Sequence, residues 1–149
     1  MIKIHKNRSG CPLSTSLEIL GDQWSLIIIR DLFLQRTTFS DFRNAPEKIA
    51  SNILTDRLNK LLKYNLIGYV RNPKNKKIKI YYLKDAGIDL YPIIFELLTW
   101  SKNHLDMKFL PISEQWYNAT EKKLPLKIIS DSLNKYRNFR EATLNKMAV

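Results

Sequence analysis

Four short polar side chains, Ser51, Asn52, Thr55 and Asp56, lie along one face of a helically patterned segment. Such groups can read base edges: an asparagine amide is bidentate to adenine, and a carboxylate accepts from the cytosine amino group. Further along, Arg71, Lys74, Lys76, Lys77 and Lys79 sit within nine positions with no acid among them. A row of cations like this suits a phosphate backbone or a narrow minor groove. Arg43, Lys60 and Lys63 are further cations suited to phosphates or to solvent. Arg57 fits two roles equally well: a phosphate contact, or a salt bridge that braces the helix carrying it. The remaining chemistry is a lone thiol, Cys11, beside the basic residues Lys3, Lys6 and Arg8 and just ahead of Pro12. Cations and a helix start both favour a reactive thiolate. The alternative for Cys11 is a small buried hydrophobe at a helix cap.

These groups need elements to hold them. Ile49, Ile53, Leu54, Leu58, Leu61 and Leu62 recur at helical spacing, which predicts an amphipathic helix presenting Ser51 to Asp56 on its other face, with Ser51 or Asn52 as its cap. Asn65 stands where a helix often ends in the left-handed conformation. Two short strands, Ile67 to Arg71 and Ile78 to Leu83, flank the basic loop. Upstream, Ser40 is expected to cap a small helix with Phe42 and Ala45 inward, ended by Pro46. A short helix, a turn and a polar-faced helix in succession form a helix-turn-helix, and the basic hairpin supplies a wing. A central helix from about Asp22 to Gln35, apolar on most sides, supplies the core. Before it, Leu13, Leu17 and Leu20 predict a helix ending at Gly21. From Asp85 a long helix carries Leu90, Ile93, Ile94, Leu97, Leu98 and Leu105, kinked or broken early by Pro92. Beyond Pro111, a short helix with Trp116 and Tyr117 precedes a longer one in which Leu126, Ile129, Leu133 and Tyr136 follow a narrow seam. The expected fold is mainly α with a small β-hairpin wing (α+β). It comprises an N-terminal arm over residues 1–10, a winged-helix domain over 11–105 and a C-terminal helical extension over 106–149.

The bulk numbers fit this reading. The 149 residues carry 25 Lys and Arg against 14 Asp and Glu, a formal charge of +11. That excess points to a polyanionic partner, and it argues against a solvated helix and hairpin that bind nothing. The apolar runs are too short to span a bilayer, and the first ten residues lack an apolar signal core, so a cytoplasmic protein without membrane partners is expected. One cysteine excludes an intrachain disulfide, and the two histidines, His5 and His104, are far apart; no metal site or cofactor is expected. No nucleophile–base pair or glycine-rich phosphate loop indicates an enzyme.

Four pieces of the chain resemble the HxlR-type branch of the MarR-like winged-helix transcription regulators, between about Cys11 and Leu105. They are Cys11-Pro12; Gly21-Asp22-Gln23-Trp24 with Arg30-Asp31-Leu32; Phe39-Ser40-Asp41-Phe42-Arg43 with Ile53-Leu54-Thr55-Asp56-Arg57-Leu58; and Leu83, Gly87, Leu90 and Pro92 followed by Trp100. Ala50, Asn65 and Phe42 depart from the usual Ser, Gly and Leu. The resemblance implies a homodimer that places two recognition helices in successive major grooves of a near-palindromic double-stranded DNA operator, about 34 Å apart. It also implies, from some relatives, that a cysteine at the position of Cys11 senses oxidants or electrophiles. A small effector bound near the dimer seam is the other expected signal, with Tyr81, Tyr91, Phe95, Trp100 and Trp116 as candidate lining. A winged helix that binds only proteins is the competing reading, against which the row of lysines on the wing speaks.

Overall fold

A computed structural model describes residues 1–4 and 7–148. Its elements run α1 (Pro12–Leu20), α2 (Ser25–Phe33), α3 (Phe39–Arg43), α4 (Ser51–Lys63), β1 (Ile67–Asn72), β2 (Asn75–Leu83), α5 (Asp85–Ile88), α6 (Tyr91–His104), α7 (Pro111–Thr120) and α8 (Pro125–Met147). This is a mostly helical winged-helix fold whose one sheet among the described residues is the antiparallel β1–β2 hairpin.

Helix α2 is central because its side chains are apolar on most sides: Ile28, Ile29 and Leu32 are at most 1% exposed. It is shorter than the expected span from Asp22. Asp22 instead accepts from the amides of Trp24 and Ser25, each at 2.9 Å, and so caps the helix from outside. Leu54, Leu58 and Leu61 of α4 join the same core, as do Ile67 and Leu83 at the root of the hairpin.

Helix α3 begins two residues earlier than expected. Thr38, not Ser40, is its cap: the Asp41 amide donates to Thr38 Oγ1 at 3.1 Å, and the Thr38 amide donates to Asp41 Oδ2 at 2.9 Å. This reciprocal pair satisfies two amides that a Ser40 cap would leave open. Thr37 is tied to the wing, its carbonyl accepting from the Tyr81 amide at 2.7 Å. The turn into α4 passes through Lys48 at φ 53°, and the chain turns away after α4 at Asn65, with φ 58°. Asn65 fits the left-handed region through its short polar side chain.

In the hairpin, Ile67 pairs with Leu83 and Arg71 with Lys79, and the register shifts after Arg71. The strands extend further into the basic loop than expected, to Asn72 and from Asn75. The loop is held by side-chain turns, with the amides of Lys74 and Lys77 donating to Asn72 Oδ1 and Asn75 Oδ1.

The helical run after Asp85 breaks at Asp89 and Leu90, and Pro92 sits in the first turn of α6. At that position a missing amide hydrogen costs nothing. The last helix, α8, packs back on the same body. Its inward residues are Ile128 and Tyr136, with Ile129, Leu133 and Phe139 half-buried. The expected seam is corrected at its start: Leu126 is 82% exposed, because the turn of α8 that meets Tyr91 and Phe95 does so through Ile128.

Candidate nucleic-acid interface

The core-facing side of α4 leaves Ser51, Asn52, Thr55, Asp56 and Asn59 exposed on the other side. The cap of this helix differs from expectation. Ala50 occupies the N-cap without a side-chain bond, because Ser51 is already helical and its hydroxyl accepts from the guanidinium of Arg43 on α3. Arg43 is thereby drawn to the start of α4. Thr55 Oγ1 donates to the Ser51 carbonyl at 2.9 Å. Asn52 makes no side-chain hydrogen bond among the described residues, so its amide is free for a ligand.

Arg57 and Lys60 are half-buried and turn toward Asp22. Arg57 Nε lies 3.0 Å from Asp22 Oδ1, close enough to pair though not aligned for a hydrogen bond. Its Nη1 reaches Asp56 Oδ2 at 2.5 Å. Lys60 Nζ lies 3.1 Å from Asp22 Oδ2. Arg57 has the geometry of a brace, paired with Asp22, and Lys60 pairs with the same carboxylate. Burial pushes the Asp22 carboxyl up, but hydrogen bonds from the Ser25 hydroxyl, the Trp24 and Ser25 amides and Lys60 outweigh it and hold the group down at about 2. Asp22 is thus a fixed anion joining the start of α2 to the middle of α4. Sequence reasoning missed it as a positioning residue, although it lies inside the Gly21 to Trp24 piece.

A second anchor holds the turn before α4. Arg30 makes a forked pair with Glu47, at 2.6 and 3.0 Å, and also reaches Asp31 at 2.7 Å. Arg36 takes the same Asp31 oxygen at 2.7 Å. Hydrogen bonding from Arg30 is the main reason the Glu47 carboxyl lies below its ordinary range. Asp31 is 1% exposed, a buried charge made tolerable by two guanidinium partners.

On the wing, Lys74, Lys76 and Lys77 are exposed and make no ion pair among the described residues. Arg71 instead donates to the Lys76 carbonyl at 2.7 Å, which stiffens the loop. The Lys79 ammonium lies 4.4 Å from the centre of the Tyr69 ring. The root of the wing is fastened from α8. The Leu83 amide donates to Tyr136 Oη at 2.9 Å, and the Leu83 carbonyl accepts from Arg140 Nη1 at 3.2 Å. Burial pushes the Tyr136 phenol up to about 12, so it stays a neutral hydrogen-bonding group. Neither anchor was foreseen; an isolated Tyr and Arg on a seam carry no local signal.

The family model for HxlR-like helix-turn-helix proteins matches residues 19–109, more than half of the chain. The chain belongs to the HxlR-like helix-turn-helix family. Like the relatives it matches, it is a transcriptional regulator of helix-turn-helix type. One such relative is the HTH-type transcriptional regulator YdeP of Bacillus subtilis, 30% identical over 65% of this chain and 76% of that protein. Among solved structures, the transcription factor PA1607 aligns with a TM-score of 0.60 at 30% identity, covering 70% of each chain. The redox regulator HypR in its oxidized form aligns with a TM-score of 0.58 at 23% identity, covering 65% of this chain and all of HypR, and so shares the fold. No helix among the described residues is long and apolar enough to cross a membrane.

Cys11 of this HxlR-like chain is exposed at the N-cap of α1, not a buried cap hydrophobe. Of its expected basic neighbours, Arg8 is paired with Glu18 at 3.0 Å, and Lys6 lies outside the described residues. The aromatic residues expected to line an effector pocket do not converge. Tyr81 is buried against Phe42 and Tyr69, Trp100 is 55% exposed, and Phe95 packs on Trp116. Strand and helix directions separate them: Tyr81 points under α3, and Trp100 lies on the outer face of α6. Tyr91 and Trp116 alone of the five line a shared cavity, between α2, α6, α7 and α8.

Proposed function

We propose that this HxlR-like regulator binds a near-palindromic double-stranded operator as a homodimer. Asn52, Ser51, Thr55 and Asp56 read base edges, while Lys74, Lys76 and Lys77, with Arg43 and Lys63, contact phosphates. The observation that carries this reading is the juxtaposition of an exposed polar face on α4 with a lysine-rich wing that holds no acid. Arg57 and Lys60 act from behind, through Asp22, to keep α4 in position. Arg71 and Lys79 hold the shape of the wing and add to its field. The homodimer draws support from two apolar stripes that stay exposed in the single chain. Leu13 and Leu17 of α1 are 68% and 55% exposed. Ile93, Leu97 and Trp100 form the second stripe at helical spacing on α6. Oxidant sensing through Cys11 is the proposed signal, since an exposed single thiol can form an intersubunit disulfide or an adduct.

The test is to recover the genomic fragments that the protein binds and titrate one of them with salt. Each phosphate contact contributes about 0.9 to the log–log slope. Lys76→Ala with Lys77→Ala is expected to flatten the slope by about 1.8 and to weaken binding to all sequences alike. Unchanged affinity and slope would remove the wing from the interface. A protein with no preference for any fragment would favour a winged helix that binds other proteins.

A further inference from the structure

The wing is a two-stranded hairpin, and such a hairpin has little stability of its own in water. Its direction therefore depends on where it is fastened. Alternate amides of a strand point to the same edge. The Tyr81 and Leu83 amides share one edge of β2, and each finds its acceptor off the hairpin. These are the Thr37 carbonyl at 2.7 Å and Tyr136 Oη at 2.9 Å. Among the described residues, no hydrogen bond or ion pair joins residues 70–80 to the body of the protein. The tip of the wing thus hangs from two attachments, one before α3 and one on α8.

Arg140 completes the attachment on α8. Its Nη1 lies 3.2 Å from the Leu83 carbonyl and 2.8 Å from Asp85 Oδ1. One guanidinium therefore joins the last residue of β2 to the first residue of α5. Both bonds are strengthened by its charge, and the side chain is only 22% exposed. One turn earlier on α8, Arg137 faces Asp89 at 3.5 Å, just past the end of α5. Leu83 is itself 0% exposed, so its amide and carbonyl have no access to water in place of these partners.

The attachment governs the lysines through leverage. Lys77 stands six positions before Leu83 on β2, and that is roughly 20 Å of extended strand. A swing of about 10° at Leu83 carries the lysines through roughly 3–4 Å, more than a bond to a phosphate tolerates.

We infer that α8 is a clamp on the wing, in which Tyr136 and Arg140 are positioning residues that aim Lys76 and Lys77 at the DNA backbone without touching it. Both lie beyond residue 109, where the family match ends, so the clamp belongs to this chain's C-terminal extension. The aim at DNA rests on the operator reading above; the hold on the wing does not.

Amide hydrogen exchange on the full chain without DNA tests the hold. Arg140→Leu should quicken exchange at the Tyr81 and Leu83 amides about tenfold and leave the Leu58 amide of α4 unchanged. Unaltered exchange at Tyr81 and Leu83 overturns the clamp. If Arg140→Leu loses its cooperative thermal transition, Asp85→Asn takes its place, removing one partner of the same guanidinium at a side chain that is 80% exposed.

A double-mutant cycle on a recovered operator tests the aim. Distant residues that share no partner act additively. In the parent, Lys76→Ala with Lys77→Ala should flatten the salt slope by about 1.8, and in the Arg140→Leu background the same pair should flatten it by less than about 0.9. Arg140→Lys keeps a charged donor for Leu83 and Asp85 and should restore most of the difference. A change of about 1.8 in both backgrounds overturns the aiming role, because a general loss of stability leaves the phosphate contacts of the folded wing as they were. A lysine pair that is silent in the parent refutes the operator reading, and the exchange result then decides the clamp alone.

Discussion

Replacing Asp22 by Asn tests whether a fixed anion behind the recognition helix stabilises this fold. The carboxylate is 17% exposed, accepts from the Trp24 and Ser25 amides and the Ser25 hydroxyl, and faces both Arg57 and Lys60. An Asn amide retains one acceptor for the backbone but loses the charge that the two cations need. The Asp22 carboxyl is lowered from its ordinary 3.8 to about 2. That depression is equivalent to ~2 kcal/mol of folding stability. Screening at partners that are 28% and 23% exposed reduces the expected loss to about 1–2 kcal/mol. The sign follows from linkage. Because the folded value is depressed, the contribution is complete above pH 3.8 and disappears as the pH falls through about 2. Urea denaturation of parent and D22N at a series of pH values measures it. The gap between the two proteins should stay constant from neutral pH down to about 4 and then narrow. At neutral pH the thermal midpoint of D22N should fall by roughly 2–8 °C. Equal stability at neutral pH, or a gap that persists unchanged as acid is added, would refute the role given to this carboxylate.

Three further outcomes are expected. Tyr136→Phe leaves the buried Leu83 amide without its acceptor and should cost about 1–3 kcal/mol; hydrogen exchange at that amide should quicken, and unaltered exchange would show that the bond is unimportant. Asn52→Ala should change the preferred sequence among recovered fragments while keeping the salt slope, and a uniform loss of affinity would remove Asn52 from base reading. Under mild oxidant the parent should form a disulfide-linked dimer on a non-reducing gel and release DNA, whereas Cys11→Ser should do neither; identical release by both proteins would end the sensor proposal.

Most of the fold was legible because the residues that form it signal locally. The apolar period of α4, the Asn at residue 65 and the Pro at residue 92 each act within a few positions of themselves. The errors arose where a partner distant in sequence decided the outcome. Ser51 reads as a cap until Arg43 is seen to claim its hydroxyl and Ala50 to take the position. The pairing of Lys60 with Asp22, 38 residues earlier, likewise has no local signal. Leu126 fits the seam of α8 as well as Ile128 does, and only the positions of Tyr91 and Phe95 separate them. The left-handed residues Gln35 and Lys48 carry no signal at all, since neither side chain favours that region. For the interface, residue types indicated what faces outward on α4 and on the wing. They could not show how Arg57, Lys60 and Glu47 are held behind it.

Leu83 has both its amide and its carbonyl bound by residues 53 and 57 positions later. This imposes an order in time. The hairpin closes from neighbouring residues, but its root is fastened only after Tyr136 and Arg140 have been synthesised. At roughly 5–20 residues per second, that interval is roughly 3–10 s. During it the lysine-rich loop is already part of the chain while the last residue of β2 lacks both clasps. A growing chain therefore carries the positive charge of this loop before it acquires the contacts that hold the wing at its root.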